Sequence, residues 1–500
     1  MPHEAAPAAA VSATPSLLRS GALSLLTSAA PLVVALLALP LLTRRLGTER
    51  LGLLALAWAW LGYATLLDFG LGRALTRMVA AADAGEVLEA PIGALVRTAH
   101  WLLTGVGAAV GITAALLAPW YIGQVLHVSD PLRGDAVLSA IIFALTVPAV
   151  TGASVPRAVL EARQQFRIVN LIRLPVSVGT FAVPVLLLPF TASLALIAAT
   201  IAVLRVWAWW RYATLARSGA SQSDNAGADR AHLPSLLRAG AWITVSNVLS
   251  PIMTVADRFL IGSLVSVSAV ALYAVPWEAV TKLLIVPGAV TMVLFPAASR
   301  AATARVAELV PLYSASMRLV ASLVIPACAL GCLFAPWLLR FAGGAQYAGD
   351  SVTVLRVLCV GVAANSLAAV PFSLLQASGR AKWTAIVHAL EVLPFVLLLW
   401  MSVQRWGIVG AAGAWTVRVL LDAMLMAWQA QTVAPLPAAS LWWLATGVAS
   451  VAACAALGDT ASGNLPVPLV AATVVALLVP FVLWLRQGDA ERAIIGRVGR

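Results

Sequence analysis

The sequence predicts an all-α polytopic membrane protein, and three observations support that prediction. Of the 500 residues, 61% are hydrophobic and only 10% are charged, whereas a soluble domain carries about 25% charged residues. The mean hydropathy is +0.95. Apolar runs long enough to cross a bilayer follow one another along nearly the whole chain, separated by short polar or basic connections. We therefore expect helices that span a membrane.

Fourteen such runs are predicted, and each is treated as one spanning helix. The first run is too long for a signal sequence, and residues 1–16 contain no Lys or Arg, so an uncleaved first span is expected. The runs lie near residues 17–42, 51–68, 91–118, 135–156, 170–188, 191–210, 238–263, 269–295, 311–338, 351–377, 383–401, 406–428, 440–457 and 465–485.

The basic residues in the connections predict the orientation. A cytoplasmic N-terminus places twenty arginines and lysines on the inside and only six arginines on the outside, so both termini are expected in the cytoplasm. The net charge of +12 does not indicate nucleic-acid binding, because the basic residues lie between hydrophobic runs. Trp207, Trp209 and Trp210 beside Arg211 are typical of an interfacial aromatic belt.

A Ser- and Gly-rich segment divides the chain, and the sequences on its two sides resemble each other. Residues 16–22 (SLLRSGA) match residues 235–241 (SLLRAGA) at six of seven positions, and Val155-Pro156 recurs as Val370-Pro371 at nearly the same offset. Six spans per half make the two repeats parallel. The predicted organisation is a disordered cytoplasmic N-terminus (1–16), an N-lobe (17–211), a cytoplasmic linker (212–235), a C-lobe (236–429), two further spans (430–485) and a cytoplasmic C-terminus (486–500).

Four charged residues lie inside the first two spans of the C-lobe. Asp257 and Arg258 lie in the first span, and Glu278 and Lys282 lie four residues apart on one face of the second. A charge near the centre of a spanning helix costs about 2.5–3.5 kcal/mol, so these side chains must face protein or a wet cavity. Their positions along the two helices give similar depths, so a four-member network is geometrically possible.

A second set of charges is predicted in spans eleven and twelve, where Glu391, Arg418 and Asp422 also match in depth. Either set can be a structural group that fixes helix register. Alternatively, it can line a cavity in which Arg and Lys bind an anionic headgroup and acids titrate during transport. His388, one turn before Glu391, is more typical of a core hydrogen-bonding residue than of a proton relay. Arg97 in span three either snorkels to the inner surface or faces the cavity.

No motif for catalysis or for a bound metal is found in the sequence. The Gly-x-Gly at residues 70–72 lacks the strand context of a nucleotide-binding loop, and no Walker-type loop is present. The four cysteines lie inside predicted spans with no histidine close in sequence, as expected for small packing residues. We therefore expect a transporter rather than an enzyme, with no catalytic residue, metal or cofactor, and with H⁺ or Na⁺ as candidate coupling ions.

Several segments resemble bacterial flippases of the Wzx type, which belong to the multidrug/oligosaccharidyl-lipid/polysaccharide exporter superfamily. They are residues 40–52 (PLLTRRLGTERLG), 53–60 (LLALAWAW), 67–73 (LDFGLGR), 257–262 (DRFLIG) and 273–278 (YAVPWE). The resemblance covers nearly the whole chain and is strongest at 17–77 and 236–300. Lipid II flippases carry arginines within the first span, and multidrug exporters often carry an acidic residue there. Residues 20–42 contain neither, which favours the glycan-lipid flippases.

The resemblance implies a flippase in the bacterial inner membrane that works by alternating access. Its substrate would be a polyprenyl-pyrophosphate-linked oligosaccharide, turned from the inner to the outer leaflet for O-antigen, lipopolysaccharide or exopolysaccharide synthesis. The implied partners are this glycan lipid and membrane lipids, together with a polysaccharide polymerase and a chain-length regulator. No nucleic acid is expected.

The buried charges receive roles under this hypothesis. The substrate would be bound by Arg258, Lys282, Arg418 and Arg97, while charge balance or ion coupling would fall to Asp257, Glu278, Glu391 and Asp422. Two alternatives remain open: a multidrug/cation antiporter of the same superfamily, and a membrane glycan polymerase or ligase. Such enzymes usually present a larger outer loop than any predicted here.

Overall fold

The structure is a computed structural model, and every regular element that it describes is a helix. It describes residues 15–65, 67–68, 71–83, 91–218, 253, 255–304, 309–433 and 448–456, with the backbone alone at 15–29, 32, 73, 74, 77, 218, 303 and 304. The principal helices are α1 (Pro15–Ala64), α2 (Leu71–Asp83), α3 (Ile92–Trp120), α4 (Asp130–Gly152), α5 (Ser154–Ala162), α6 (Phe166–Leu187), α7 (Leu194–Ser218), α8 (Val267–Thr281), α9 (Ile285–Ala304), α10 (Leu309–Leu333), α11 (Ala335–Gly343), α12 (Asp350–Ala377) and α13 (Ala381–Ala430).

Eight helical stretches in these ranges are long and apolar enough to cross a membrane, which confirms the prediction of an all-helical multi-pass membrane protein. Two long helices each contain a break at a glycine with positive φ, Gly47 in α1 and Gly407 in α13. The break falls at glycine because glycine adopts positive φ without strain. It divides each long helix into two parts, and each part corresponds to one predicted span. The predicted span at 465–485 lies outside the described residues, as do most of that at 238–263 and half of that at 440–457, so the total of fourteen stays a prediction.

Two predicted spans are interrupted near one end. The span at 135–156 is divided at Ala153, and the chain continues as α5 to Ala162. The span at 311–338 ends at Leu333, where α11 begins with Pro336 in its first turn. Proline has no N–H to donate, so it fits the first turn of a helix and not its interior.

The described chain forms two compact units. Unit 1 takes in the described residues within 1–38, 70–116 and 139–240, and unit 2 takes in those within 39–69, 117–138 and 241–500. Helix α7 continues to Ser218, beyond residue 211 at which the N-lobe was predicted to end. Of the predicted disordered tail at 1–16, residues 15 and 16 belong to α1 and residues 1–14 lie outside the described residues, as do the linker after residue 218 and the C-terminus at 486–500. The division into two six-span lobes stays a prediction.

Within unit 1, close contact between α3 and α4 depends on small residues. A side chain at Gly107 would meet Thr151, and one at Gly111 would meet the backbone of Ala144. The Thr151 hydroxyl donates to the Leu103 carbonyl at 2.9 Å. Small residues four apart allow two backbones to approach and exchange such hydrogen bonds within a membrane.

Within unit 2, α12 is a central helix, because 19 of its 28 residues are buried. It packs closely on α13, where Gly361 faces Trp415 and where Thr416 donates to the Val357 carbonyl at 3.0 Å. The buried Arg356 donates through Nε to the Cys332 carbonyl at 3.2 Å. The four cysteines are buried and are not joined by disulfides, as expected for packing residues.

Candidate functional site

The four charged residues predicted in the C-lobe hairpin lie together in unit 2. They connect α8 to the preceding helical residues 255–264. Arg258 Nη2 donates to Glu278 Oε1 at 3.0 Å, and Lys282 Nζ donates to Glu278 Oε2 at 2.7 Å. Glu278 therefore accepts from a cation on each side, and its side chain is only 13% exposed. Charge-assisted hydrogen bonds of this kind are stronger than neutral ones.

Asp257 completes this charge cluster through different contacts from those that the sequence predicts. It is 2% exposed and accepts from the Tyr273 hydroxyl at 2.6 Å and from the Arg258 backbone N–H at 2.7 Å. Tyr273 stacks on Trp277, with ring centroids 5.8 Å apart. Sequence reasoning gave Tyr273 no role, because a tyrosine inside an apolar run carries no periodic or spacing signal.

Lys282 occupies the place where the helical backbone changes. A 3₁₀ segment, Lys282–Leu284, separates α8 from α9. Pro287 explains the change, since it has no N–H to donate to the carbonyl of Leu283. Short 3₁₀ segments inside long helices often coincide with functional hinges. The Lys282 side chain is 31% exposed, whereas that of Arg258 is 8% exposed, so Lys282 is the more accessible cation of this cluster.

The second predicted set forms another cluster in unit 2, within α13. Arg418 Nη1 lies 3.5 Å from Glu391 Oε2, and His388 Nε2 lies 3.2 Å from Asp422 Oδ1. The Arg418 guanidinium also lies over the Phe395 ring, 5.6 Å from its centroid. These contacts give the cluster one arginine, two carboxylates and a histidine that adds a positive charge when protonated.

Met253 lies between the two clusters. Arg418 Nη1 lies 3.4 Å from the sulfur of Met253, which precedes Asp257 by four residues. The two sets, which were predicted separately, are thus near neighbours in unit 2, and each contains at least one cation paired with a carboxylate. Arg97, predicted to act with them, belongs to unit 1, where it lines a cavity with His100 and Trp209.

Replacing Tyr273 by Phe should lower the free energy of unfolding by about 2 kcal/mol, because it removes a donor from a buried carboxylate. A matched control exists in Tyr347, which is also fully buried and whose hydroxyl has no hydrogen-bond partner among the described residues. Tyr347→Phe should be nearly neutral. Thermal or denaturant unfolding in detergent would measure both, and equal effects would contradict the importance of the Tyr273–Asp257 bond.

Comparison with known proteins gives consistent results. A family model described as polysaccharide biosynthesis protein matches residues 17–302. A Shigella flexneri protein named as an O-antigen transporter is 29% identical over 418 residues, which are 83% of this chain and 97% of that protein.

Solved structures of exporters share the fold. The lipid II flippase MurJ in an inward closed conformation matches with a TM-score of 0.72 at 11% identity, covering 94% of this chain and 99% of that one. An inward-facing multidrug resistance transporter of the MATE family matches with a TM-score of 0.67 at 15% identity, covering 88% and 100%. These likenesses confirm the predicted exporter fold, and the names of the relatives agree with a transporter rather than an enzyme.

Proposed function

Because this chain belongs to the polysaccharide biosynthesis protein family, we propose that it turns a polyprenyl-pyrophosphate-linked oligosaccharide from the inner to the outer leaflet of the bacterial inner membrane. The observation that carries the proposal is the pair of buried charge clusters in unit 2. Charges at this depth in spanning helices are costly, and their usual role is on a substrate or ion pathway. A pyrophosphate needs cationic partners to leave water, and the two clusters supply Arg258, Lys282 and Arg418.

The cations differ in what they can offer to a substrate. Arg258 is buried and held by Glu278, so it mainly sets the charge of the site. Lys282 is more exposed, and its flexible chain at the 3₁₀ segment can turn from Glu278 towards a phosphate oxygen. In this proposal Lys282 binds the pyrophosphate first, and after the substrate is released Lys282 pairs with Glu278 again.

The acids then provide charge balance and coupling. Asp257 and Glu278 balance Arg258 and Lys282 in the first cluster when no substrate is bound. In the second, Glu391 balances Arg418, and the charge of Asp422 is balanced only when His388 is protonated. Protonation of a carboxylate, or Na⁺ binding to it, would free the neighbouring arginine or lysine for the substrate. H⁺ and Na⁺ are therefore the candidate coupling ions of an alternating-access cycle.

Contacts at one end of unit 2 agree with the expectation that three connections lie on the same side of the membrane, and the distribution of basic residues is the basis for proposing that both termini are cytoplasmic. Arg44 Nη2 donates to the Phe341 carbonyl at 2.7 Å, and the Ser129 hydroxyl donates to Glu49 at 2.9 Å. All four residues lie in connections that the charge distribution predicts to be outside. The lipid-linked glycan enters, in this scheme, from the opposite side. A polymerase and a chain-length regulator are the proposed downstream partners.

Deletion of this chain should remove surface polysaccharide and cause the lipid-linked intermediate to accumulate. Lys282→Ala should reduce export at least about tenfold in a complementation assay, because it removes one charge-assisted hydrogen bond to the substrate. The control is Lys382→Ala, at the only other lysine of the chain, which is exposed at the start of α13 and should support normal export.

The outcomes separate the proposal from its alternatives. A drug/cation antiporter would alter drug susceptibility and leave surface polysaccharide unchanged. A polymerase or ligase would leave single repeat units on the outer leaflet when deleted, whereas a flippase would leave them on the inner leaflet. Full export by Lys282→Ala at normal expression would contradict the role of this lysine.

A further inference from the structure

Unit 1 contains a cavity of about 610 Å³ with walls from α2, α3, α5 and α7. Its lining includes three arginines, Arg97, Arg163 and Arg217, and no Asp or Glu is found among the described residues that line it. The remaining wall is largely apolar, with side chains such as Val79, Val96, Val155, Val159, Ala213 and Ala216. The cavity thus combines positive charge with a surface suited to hydrocarbon.

Two hydrogen-bond donors inside the cavity lack acceptors. Thr104 Oγ1 and Trp209 Nε1 are buried, and neither has a hydrogen-bond partner in the part of the chain that the structure describes. Both lie beside Gly152, since a Cβ at that position would be 2.6 Å from Thr104 Oγ1 and 3.1 Å from Trp209 Nε1. His100 stacks on Trp209 with a centroid distance of 6.0 Å. Buried donors are normally satisfied, so an acceptor oxygen is expected here.

The charges lie where an anionic lipid could reach them. Arg97 is near the start of α3 and Arg217 near the end of α7, which is the end of unit 1 predicted to face the cytoplasm. Asp83 pairs with Arg163 at 3.4 Å, so part of the positive charge is already balanced. Trp101 on the same wall is 68% exposed, as is typical of a side chain at a lipid interface.

We propose that this cavity binds the phosphate group of a lipid. Phosphate oxygens accept from Thr104 and Trp209, the arginines supply the charge, and the lipid chain follows the valine and alanine wall. Basic pockets between membrane helices on the cytoplasmic side bind such headgroups by the same physics. The absence of a side chain at Gly152 lets both donors approach the end of α4 closely.

Two lipids present this chemistry at the inner leaflet. One is an anionic phospholipid of the surrounding bilayer, and the other is the polyprenyl phosphate carrier of the transported glycan. The second source rests on the function proposed above and the first does not. A result that favours phospholipid alone would therefore keep the site and leave the proposed function untouched.

Delipidated full-length protein in neutral detergent would be titrated with phosphatidylglycerol, phosphatidylcholine and undecaprenyl phosphate, and bound lipid would be measured by native mass spectrometry. We expect binding of at least one phosphate lipid with a free anionic charge, and at least tenfold weaker binding of zwitterionic phosphatidylcholine. Thr104→Val and Trp209→Phe should each weaken anionic lipid binding about tenfold, because each removes one donor to a charged oxygen.

Matched controls are available outside the cavity. Thr200→Val and Trp210→Phe change the same residue types on α7 at positions that do not line it, and should leave binding unchanged. Gly152→Ala supplies an independent test if either donor variant folds poorly, since its methyl group would lie 2.6 Å from Thr104 Oγ1 and 3.1 Å from Trp209 Nε1 and would displace both donors. Equal binding by all three lipids, or unchanged binding by the cavity variants, would overturn the proposal.

Discussion

Arg258→Gln should destabilise the folded protein by about 3–5 kcal/mol and abolish export. The side chain is 8% exposed and donates to Glu278, so its removal leaves a buried carboxylate with one cation instead of two. Breaking a buried ion pair by removing one partner is strongly destabilising for this reason. Unfolding of the purified protein and surface polysaccharide in a deletion strain would measure the two effects.

The double variant Arg258→Gln/Glu278→Gln separates structure from function. It leaves Asp257 and Lys282 as one acid and one base, so the cluster is again neutral and most of the stability should return. If Arg258 contributes positive charge to substrate binding, export should stay low in the stable double variant. Recovery of export together with stability would show that the pair has a structural role alone.

Gly52→Ala should destabilise the protein by about 3 kcal/mol, at the upper end of the range for overpacking. A Cβ at Gly52 would overlap the backbone carbonyl of Val267 at the start of α8, both within unit 2. A flexible side chain could move aside, but a backbone carbonyl moves only with its helix. The second half of α1 would therefore have to separate from the start of α8. Denaturant unfolding and the yield of monodisperse protein would measure the loss.

The same helix provides the control for this substitution. Gly62 lies ten residues further along α1, is exposed, and has no atom within 4 Å of the position that a Cβ would occupy. Gly62→Ala should be neutral or stabilising by up to about 1 kcal/mol, because alanine favours the helix. Similar losses for both glycines would point to a general intolerance of α1 and against the specific contact with Val267.

Much of the candidate site could be predicted, because charged residues are rare inside apolar spans and are easily recognised there. Glu278 and Lys282 are four residues apart on one helix, and this spacing fixes their contact without any tertiary information. The depth argument also placed Arg258 near Glu278 and Arg418 near Glu391, since a membrane limits helices to roughly parallel directions. The pairing of Asp257 with Tyr273 could not be found in this way, because the tyrosine hydroxyl carries no charge to mark it.

The cavity in unit 1, in contrast, could not be predicted from the sequence. Trp209 beside Arg211 is explained in the sequence by an interfacial aromatic belt, and Thr104 and Gly152 are ordinary residues of membrane helices. Their common position depends on how α3, the end of α4 and α7 cross. No spacing in the chain encodes such a crossing.

By itself the sequence determined the helical membrane fold, most span positions and the residues that carry buried charge. Hydropathy and helix periodicity are local properties, so they can be read from the chain. Only the tertiary structure decided that Arg418 contacts Met253, which places the two clusters close together, and that Arg97 lies with Trp209 in unit 1. The physical reason is that these features arise from contacts between helices, and side-chain packing selects those contacts after the helices have formed.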